Sequence, residues 1–167
     1  MPLPSTMTPI ATNTLNAAVA TITFSSIPQG YTDLELVVNA KGATASNLRI
    51  QFNGDTATNY SRTVLYGTGA AAGSSRTSNF ASIAIDAYAQ LDTSNFVYNS
   101  ITSIQNYSSS ATYKTTLTRA NSASLGTDAT SGLWRSTAAI TSITVFTNDS
   151  GNYSIGTTFT LYGIKAA

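Results

Sequence analysis

Leu48-Arg49-Ile50-Gln51-Phe52-Asn53-Gly54-Asp55 is the stretch that decides the fold. Apolar and polar residues alternate along it. In an extended chain successive side chains point to opposite faces, so Leu48, Ile50 and Phe52 share one side. Asn53-Gly54-Asp55 then supplies residues that tolerate a tight turn. Upstream, residues 33–39 repeat the alternation with Leu34, Leu36 and Val38 on one face. Residues 21–27 alternate hydroxyl and apolar side chains, and residues 28–31 carry Pro and Gly where a turn needs them. Downstream, the same reading predicts strands over 60–66, 80–87, 96–107, 112–120, 133–138, 140–147 and 157–164. Two runs of small residues, 67–79 and 121–131, are predicted as long loops. Helix is confined to possible turns near 15–20 and 83–90, which are Ala-rich but lack caps. About nine or ten short strands separated by turns at spacings of roughly 8–12 residues define an all-β chain. The expected architecture is an antiparallel β-sandwich, jelly-roll-like. Residues 1–18 are expected to form an extended N-terminal arm, and residues 19–167 the sandwich domain.

The composition narrows function further. The 167 residues suit one domain with a real core. With no cysteine, neither disulfides nor thiolate metal sites can contribute. With no histidine, the commonest general base, metal ligand and pH switch are missing together. Charged residues make up 9% of the chain, against about 25% in a typical domain, while Ser and Thr make up roughly 30%. A hydroxyl-rich, weakly charged surface is covered by another protein at little desolvation cost. The net charge of +1, with Arg49, Arg62, Arg76, Arg119 and Arg135 far apart, argues against nucleic acid as a partner. No apolar run approaches the ~20 residues of a membrane span. The N-terminus lacks the features of a secretion signal, so no membrane partner or crossing is expected.

The arm is the expected partner contact. Pro2, Pro4 and Pro9 fix φ and remove amide donors, which favours an extended path. Together with Leu3, Met7, Ile10 and Leu15 they would lie against a neighbouring chain.

No catalytic, cofactor-binding or metal-binding residues are expected. Asp33 and Glu35 would share a strand face and read as an exposed rim. A carboxylate pair for glycoside hydrolysis would require folding to bring two acids such as Asp86 and Asp149 together. Serines lack a base beside them, since Lys41, Lys114 and Lys165 stand alone. Residues 53–59 superficially resemble a calcium loop but lack its alternating acids and closing Glu, so an Asn/Asp-stabilised turn is the better account. Trp134 within Leu133-Trp134-Arg135 is expected to be at least half buried. Asn-Tyr-Ser occurs at Asn59, Asn106 and Asn152 without matching flanks, which is no repeat.

Several of these segments resemble structural proteins of tailed phages. The likeness rests on residues 52–61 with 65–69, on 150–164, and on Ile104–Tyr107, Tyr113–Thr115 and 133–137 between them. It covers most of residues 20–165. It implies a virion role without catalytic residues. The absence of heptads or a shaft favours a compact capsid decoration (cement) protein, a homotrimer on the major capsid protein shell. The chain would be made in the host cytoplasm. The alternative is a tail or fibre receptor-binding module that recognises host glycans through the two long loops.

Overall fold

In the computed structural model, residues 6–93 and 97–165 are described. They form twelve strands and, among the described residues, no helix. The strands are β1 (Met7–Thr14), β2 (Thr21–Phe24), β3 (Asp33–Ala40), β4 (Leu48–Phe52), β5 (Tyr60–Gly67), β6 (Ala72–Phe80), β7 (Ile83–Ala84), β8 (Tyr98–Gln105), β9 (Lys114–Ser122), β10 (Gly126–Trp134), β11 (Ile143–Thr147) and β12 (Thr158–Ile164). Every pairing is antiparallel. Eight strands make one sheet in the order β1-β12-β3-β8-β9-β10-β5-β6, and four make a second in the order β2-β11-β4-β7. The chain is an all-β sandwich, as its sequence predicts.

The alternating stretches bury the residues expected of them. Leu34, Leu36 and Val38 of β3 and Leu48, Ile50 and Phe52 of β4 face inward and are essentially inaccessible to solvent. Ile143 and Val145 of β11 and Phe159 and Leu161 of β12 join the same core. Fully burying one such side chain stabilises the fold by about 1.5–3 kcal/mol. The β2 edge of the small sheet faces β1 and β12, since Thr23, Phe24 and Ser25 line a cleft with Ile10–Asn13 and Leu161. Its β7 edge lies against β5 and β10. The larger sheet therefore wraps the smaller one. Tyr60, Tyr107 and Tyr153, the tyrosines of the three Asn-Tyr-Ser tripeptides, are all buried.

Three expectations are corrected. Met7–Thr14 is extended but lies against its own domain: it pairs with β12, from Met7 opposite Ile164 to Thr14 opposite Thr158, and Leu15 reaches the core. Seven backbone-paired residues and a buried leucine tie it to its own domain, so the boundary drawn at residue 18 divides one unit. Residues 67–79 are not a loop. A turn closed by the Thr68 amide on the Ala71 carbonyl (2.8 Å) joins β5 to β6 in a hairpin. Residues 121–131 are likewise the end of β9, a tight turn and most of β10. At that turn Gly126 has φ +149°, and a Cβ on it would meet the Gly67 carbonyl oxygen at 2.2 Å. Only glycine fits there.

Of the arm residues expected to touch a partner, Pro2, Leu3 and Pro4 lie outside the described residues, as does Phe96 at the start of a predicted strand. Met7 and Pro9 are exposed on the sheet edge, Ile10 is half-buried against the core at a bulge, and Leu15 is buried. The possible helical turn at 15–20 is irregular, and that at 83–90 begins as β7.

Candidate functional site

Two regions of the fold carry groups that the core does not use. The first is the outer face of the eight-stranded sheet, which no element of the described residues covers. Cross-strand registers place Leu65, Ala129, Arg119, Ile101 and Val37 in one row. The next row holds Thr63, Ser131, Leu117, Ser103, Glu35 and Tyr162. Leu65 is 61% exposed and Leu117 56% exposed, diagonal neighbours across β10. Around them stand Thr, Ser and Ala with few charges. Asp33 and Glu35 do share this face, as expected. Asp33 accepts the Asn106 amide (2.7 Å) and so closes a turn.

The edges of this sheet differ. β1 is blunted by Pro9 and by its bulge, two devices that discourage further strand pairing. β6 is nine residues long, free of proline and almost wholly exposed, with Arg76 its only charge. Its free edge presents unpaired backbone groups.

The second region lies at the β7 edge, where the sheets part. Arg49 projects from the outer side of β4, donates to Ser82 Oγ (3.2 Å) and lies over the Phe80 ring at 5.7 Å. Arg62 comes from the inner face of β5 and donates to the backbone carbonyls of Ala84 (3.3 Å) and Asp86. Both line one cavity of about 130 Å³ with Ser61, Thr77, Phe80, Ser82 and Ala84. Burial lowers both guanidinium pKa values. Asp86 opposes the shift at each, while the charge of Arg49 adds to it at Arg62. Arginine nonetheless keeps its charge in proteins.

Behind that cavity the interior is polar. Asp86 is fully buried and accepts from the Leu48 amide (3.1 Å) and from Asn47 Nδ2 (2.8 Å). Burial pushes its carboxyl up to about 7, and the nearby Asp128 adds to the rise, against hydrogen bonds from Asn47 and Leu48. Asp128 Oδ2 accepts three successive amides, Ala87, Tyr88 and Ala89, at 2.7–2.9 Å. It thereby fixes the turn after β7. Its Oδ1 is buried without a partner, as are Thr116 Oγ1, Thr130 Oγ1 and Tyr153 OH. Asp86 is sealed inside while Asp149 is exposed in the turn after β11, so the two do not form a carboxylate pair in one cleft.

The remaining motifs are structural. Asn53 and Gly54 both have positive φ (54° and 66°), and the Asp55 amide donates to the Phe52 carbonyl (2.9 Å), which makes the predicted turn. Asp55 Oδ1 accepts the Ala57 amide, and Oδ2 accepts Asn59 Nδ2 and Trp134 Nε1 (2.7 Å). The calcium-like spacing is thus an Asx turn that holds a tryptophan. Trp134 is 2% exposed and stacks on Tyr60. Lys114 is buried and donates to the Thr112 (2.7 Å) and Thr137 (3.2 Å) carbonyls, and burial lowers its pKa. Among the described residues no group of three or more acids assembles as a metal site.

Sequence reasoning singled out none of the cavity residues. Arg49 and Arg62 are thirteen positions apart on strands of different sheets, and only the crossing of the chain between sheets brings them together. Comparison with protein-family models, with curated protein sequences and with solved structures finds no match for this chain.

Proposed function

We propose that this chain is a non-catalytic structural protein of a tailed-phage particle, a capsid decoration protein that associates as a homotrimer and binds the major capsid protein shell. The observation that carries the reading is the uncovered outer face of the eight-stranded sheet, eight strands wide, poor in charge and centred on Leu65 and Leu117. Exposed leucines among weakly charged hydroxyls favour the reading of this face as a protein contact. The Thr and Ser around it hydrogen-bond within the sheet, as Thr12 does with Thr160 (3.2 Å), and give up little hydration when covered. The β6 edge supports the same reading, since an unprotected strand edge is a template for a neighbouring chain.

The strand order is compatible with a jelly roll. β2, β4, β7 and β11 lie in the small sheet, while β3, the β5–β6 hairpin, the β8–β10 meander and β12 lie in the large one, so the chain keeps crossing between sheets. The partner contact is assigned to the body of the domain more than to its first residues. Each copy would bridge neighbouring capsomers through modest contacts, with the gain coming from many copies acting together.

The test uses heads of the encoding phage that lack the protein, and light scattering for the oligomer. Wild type should sediment with heads and show a solution mass near three times the 17.4 kDa chain. Leu65→Asp/Leu117→Asp should lose head binding at least tenfold while its thermal midpoint stays put, because surface changes of this kind cost little stability. Full occupancy by that variant, or wild type that never adheres to heads, overturns the proposal. Deleting residues 1–18 is an unsuitable test, because it removes β1 and Leu15 of the core.

A further inference from the structure

We propose that the cavity between Arg49 and Arg62 binds the carboxylate of an acidic saccharide. Each sheet contributes one guanidinium, Arg49 from β4 and Arg62 from β5, and three hydroxyls, Ser61, Thr77 and Ser82, line the same space. Two like charges share the cavity; Asp86, Asp149 and Asp128 act on them from outside it, and no acid is among its lining residues. Asp86, the acid that acts on both arginines, is fully buried and engaged with Asn47 and the Leu48 amide, and it is not among the residues lining the cavity. Planar guanidinium groups suit a carboxylate because their donors match its two oxygens.

The size selects one group of a ligand and excludes a whole one. About 130 Å³ is well below the roughly 300 Å³ at which enclosed small-molecule sites begin. The rest of such a ligand must lie outside, on the rim. There Phe80, 43% exposed with Arg49 over its ring, stands beside the hydroxyls of Ser61, Thr77 and Ser82. An apolar ring beside polar donors is the surface a pyranose needs, with C–H groups on the aromatic face and hydroxyls on the polar side. A protein carboxylate would leave the hydroxyls of Ser61, Thr77 and Ser82 unused, which is why a saccharide is the occupant argued for. The site stands apart from the outer sheet face, so the proposal goes beyond the assembly role and does not depend on it.

The experiment follows backbone amide shifts by NMR during titrations of the full chain with sodium glucuronate, sodium acetate and glucose at matched ionic strength. Glucuronate should move the amides of Ser61, Arg62, Thr77 and Ser82 with a dissociation constant on the order of 1 mM. Acetate should bind at least tenfold more weakly, and glucose should leave these amides in place. Thr77→Glu, which sets a carboxylate in the cavity from an exposed edge strand, should abolish the response while the rest of the spectrum is unchanged. Arg49→Met should weaken it at least tenfold. Arg62 also holds the Ala84 and Asp86 carbonyls, so its removal tests folding as much as binding. Acetate binding as tightly as glucuronate would reduce the site to one for any carboxylate and overturn the saccharide assignment. Equal shifts with glucose, or no shift with glucuronate, would overturn the proposal outright.

Discussion

The two ends of the sandwich interior are built on opposite terms, and one aspartate at each end makes the contrast measurable. At one end Phe52, Tyr60 and Trp134 pack with ring centroids 5.5–6.3 Å apart. The Tyr60 hydroxyl donates to the Asp55 carbonyl (3.1 Å) and takes the Phe52 amide (3.1 Å), and the Trp134 N–H is taken by Asp55. At the other end, six residues earlier along β10, stand Asp128, Ser100, Tyr98 and Asp86, and Asp128 Oδ1 lacks a partner. Burial works to raise the Asp55 pKa, but hydrogen bonds from Asn59, Trp134 and Ala57 prevail and hold it below the usual value. For Asp86 burial is complete and prevails over its donors. The same side chain is thus driven in opposite directions, and the deciding factor is whether water still reaches it. The aromatic end supplies stability; the polar end stores a cost that varies with pH.

The largest effect should come from breaking the aromatic end. Trp134→Ala leaves a cavity among Phe52 and Tyr60 and strips Asp55 of one donor, and should cost about 3–5 kcal/mol. Trp134→Phe keeps most of the ring area and loses the N–H, so about 1–2 kcal/mol is expected. Urea unfolding of both variants checks this. If Trp134→Phe costs as much as Trp134→Ala, the hydrogen bond to Asp55 outweighs the packing, and the aromatic end is not held together by its rings.

Asp86 sharpens the comparison from the other side. Its carboxyl stays protonated in the folded chain up to about pH 7 but ionises near the usual 3.8 when unfolded. Between these values the folded state binds the extra proton, so stability falls as pH rises through the window and levels off above it. A shift of about three units sets a ceiling on the order of 4 kcal/mol. Asp86→Asn cannot ionise. The difference in unfolding free energy between wild type and Asp86→Asn should therefore swing against wild type from pH 4 to pH 8. Parallel curves for the two proteins would show that Asp86 ionises in the folded chain as readily as in the unfolded one, so that its burial carries no pH-dependent cost.

The same contrast explains what the sequence revealed. Strands whose inner face is apolar, such as Leu48–Phe52 and Asp33–Ala40, stand out by alternation. The first half of β10 buries Asp128 and Thr130, so its inner face is polar and its alternation is invisible to a hydrophobic reading. β6 buries almost nothing and its backbone pairs with β5 alone, so Ala72–Phe80 reads as a loop. β1 is a proline-bearing edge whose partner, β12, lies at the far end of the chain. The arginine cavity is illegible for a related reason: charge clusters formed between sheets leave no local spacing. The turn at Asn53-Gly54-Asp55 was readable because its chemistry is local.

The smallest effect tests whether the polar end is dry. Thr102 and Thr118 share a buried hydroxyl–hydroxyl hydrogen bond of 2.9 Å, while Thr130, opposite Thr118 in the register, has a buried hydroxyl without a protein partner. Thr118→Val should cost about 1 kcal/mol, because it orphans Thr102. Thr130→Val swaps an unpaired hydroxyl for a methyl of nearly the same shape, so it should be neutral or stabilising by up to about 1 kcal/mol. Valine also suits a strand at least as well as threonine does, so strand propensity does not obscure the difference. If Thr130→Val instead destabilises by about 1 kcal/mol, a buried water must be bonded to that hydroxyl, since interior waters satisfy otherwise unpaired groups at a comparable energy. The polar end would then be hydrated, and the cost attributed to its buried carboxyl would shrink with it.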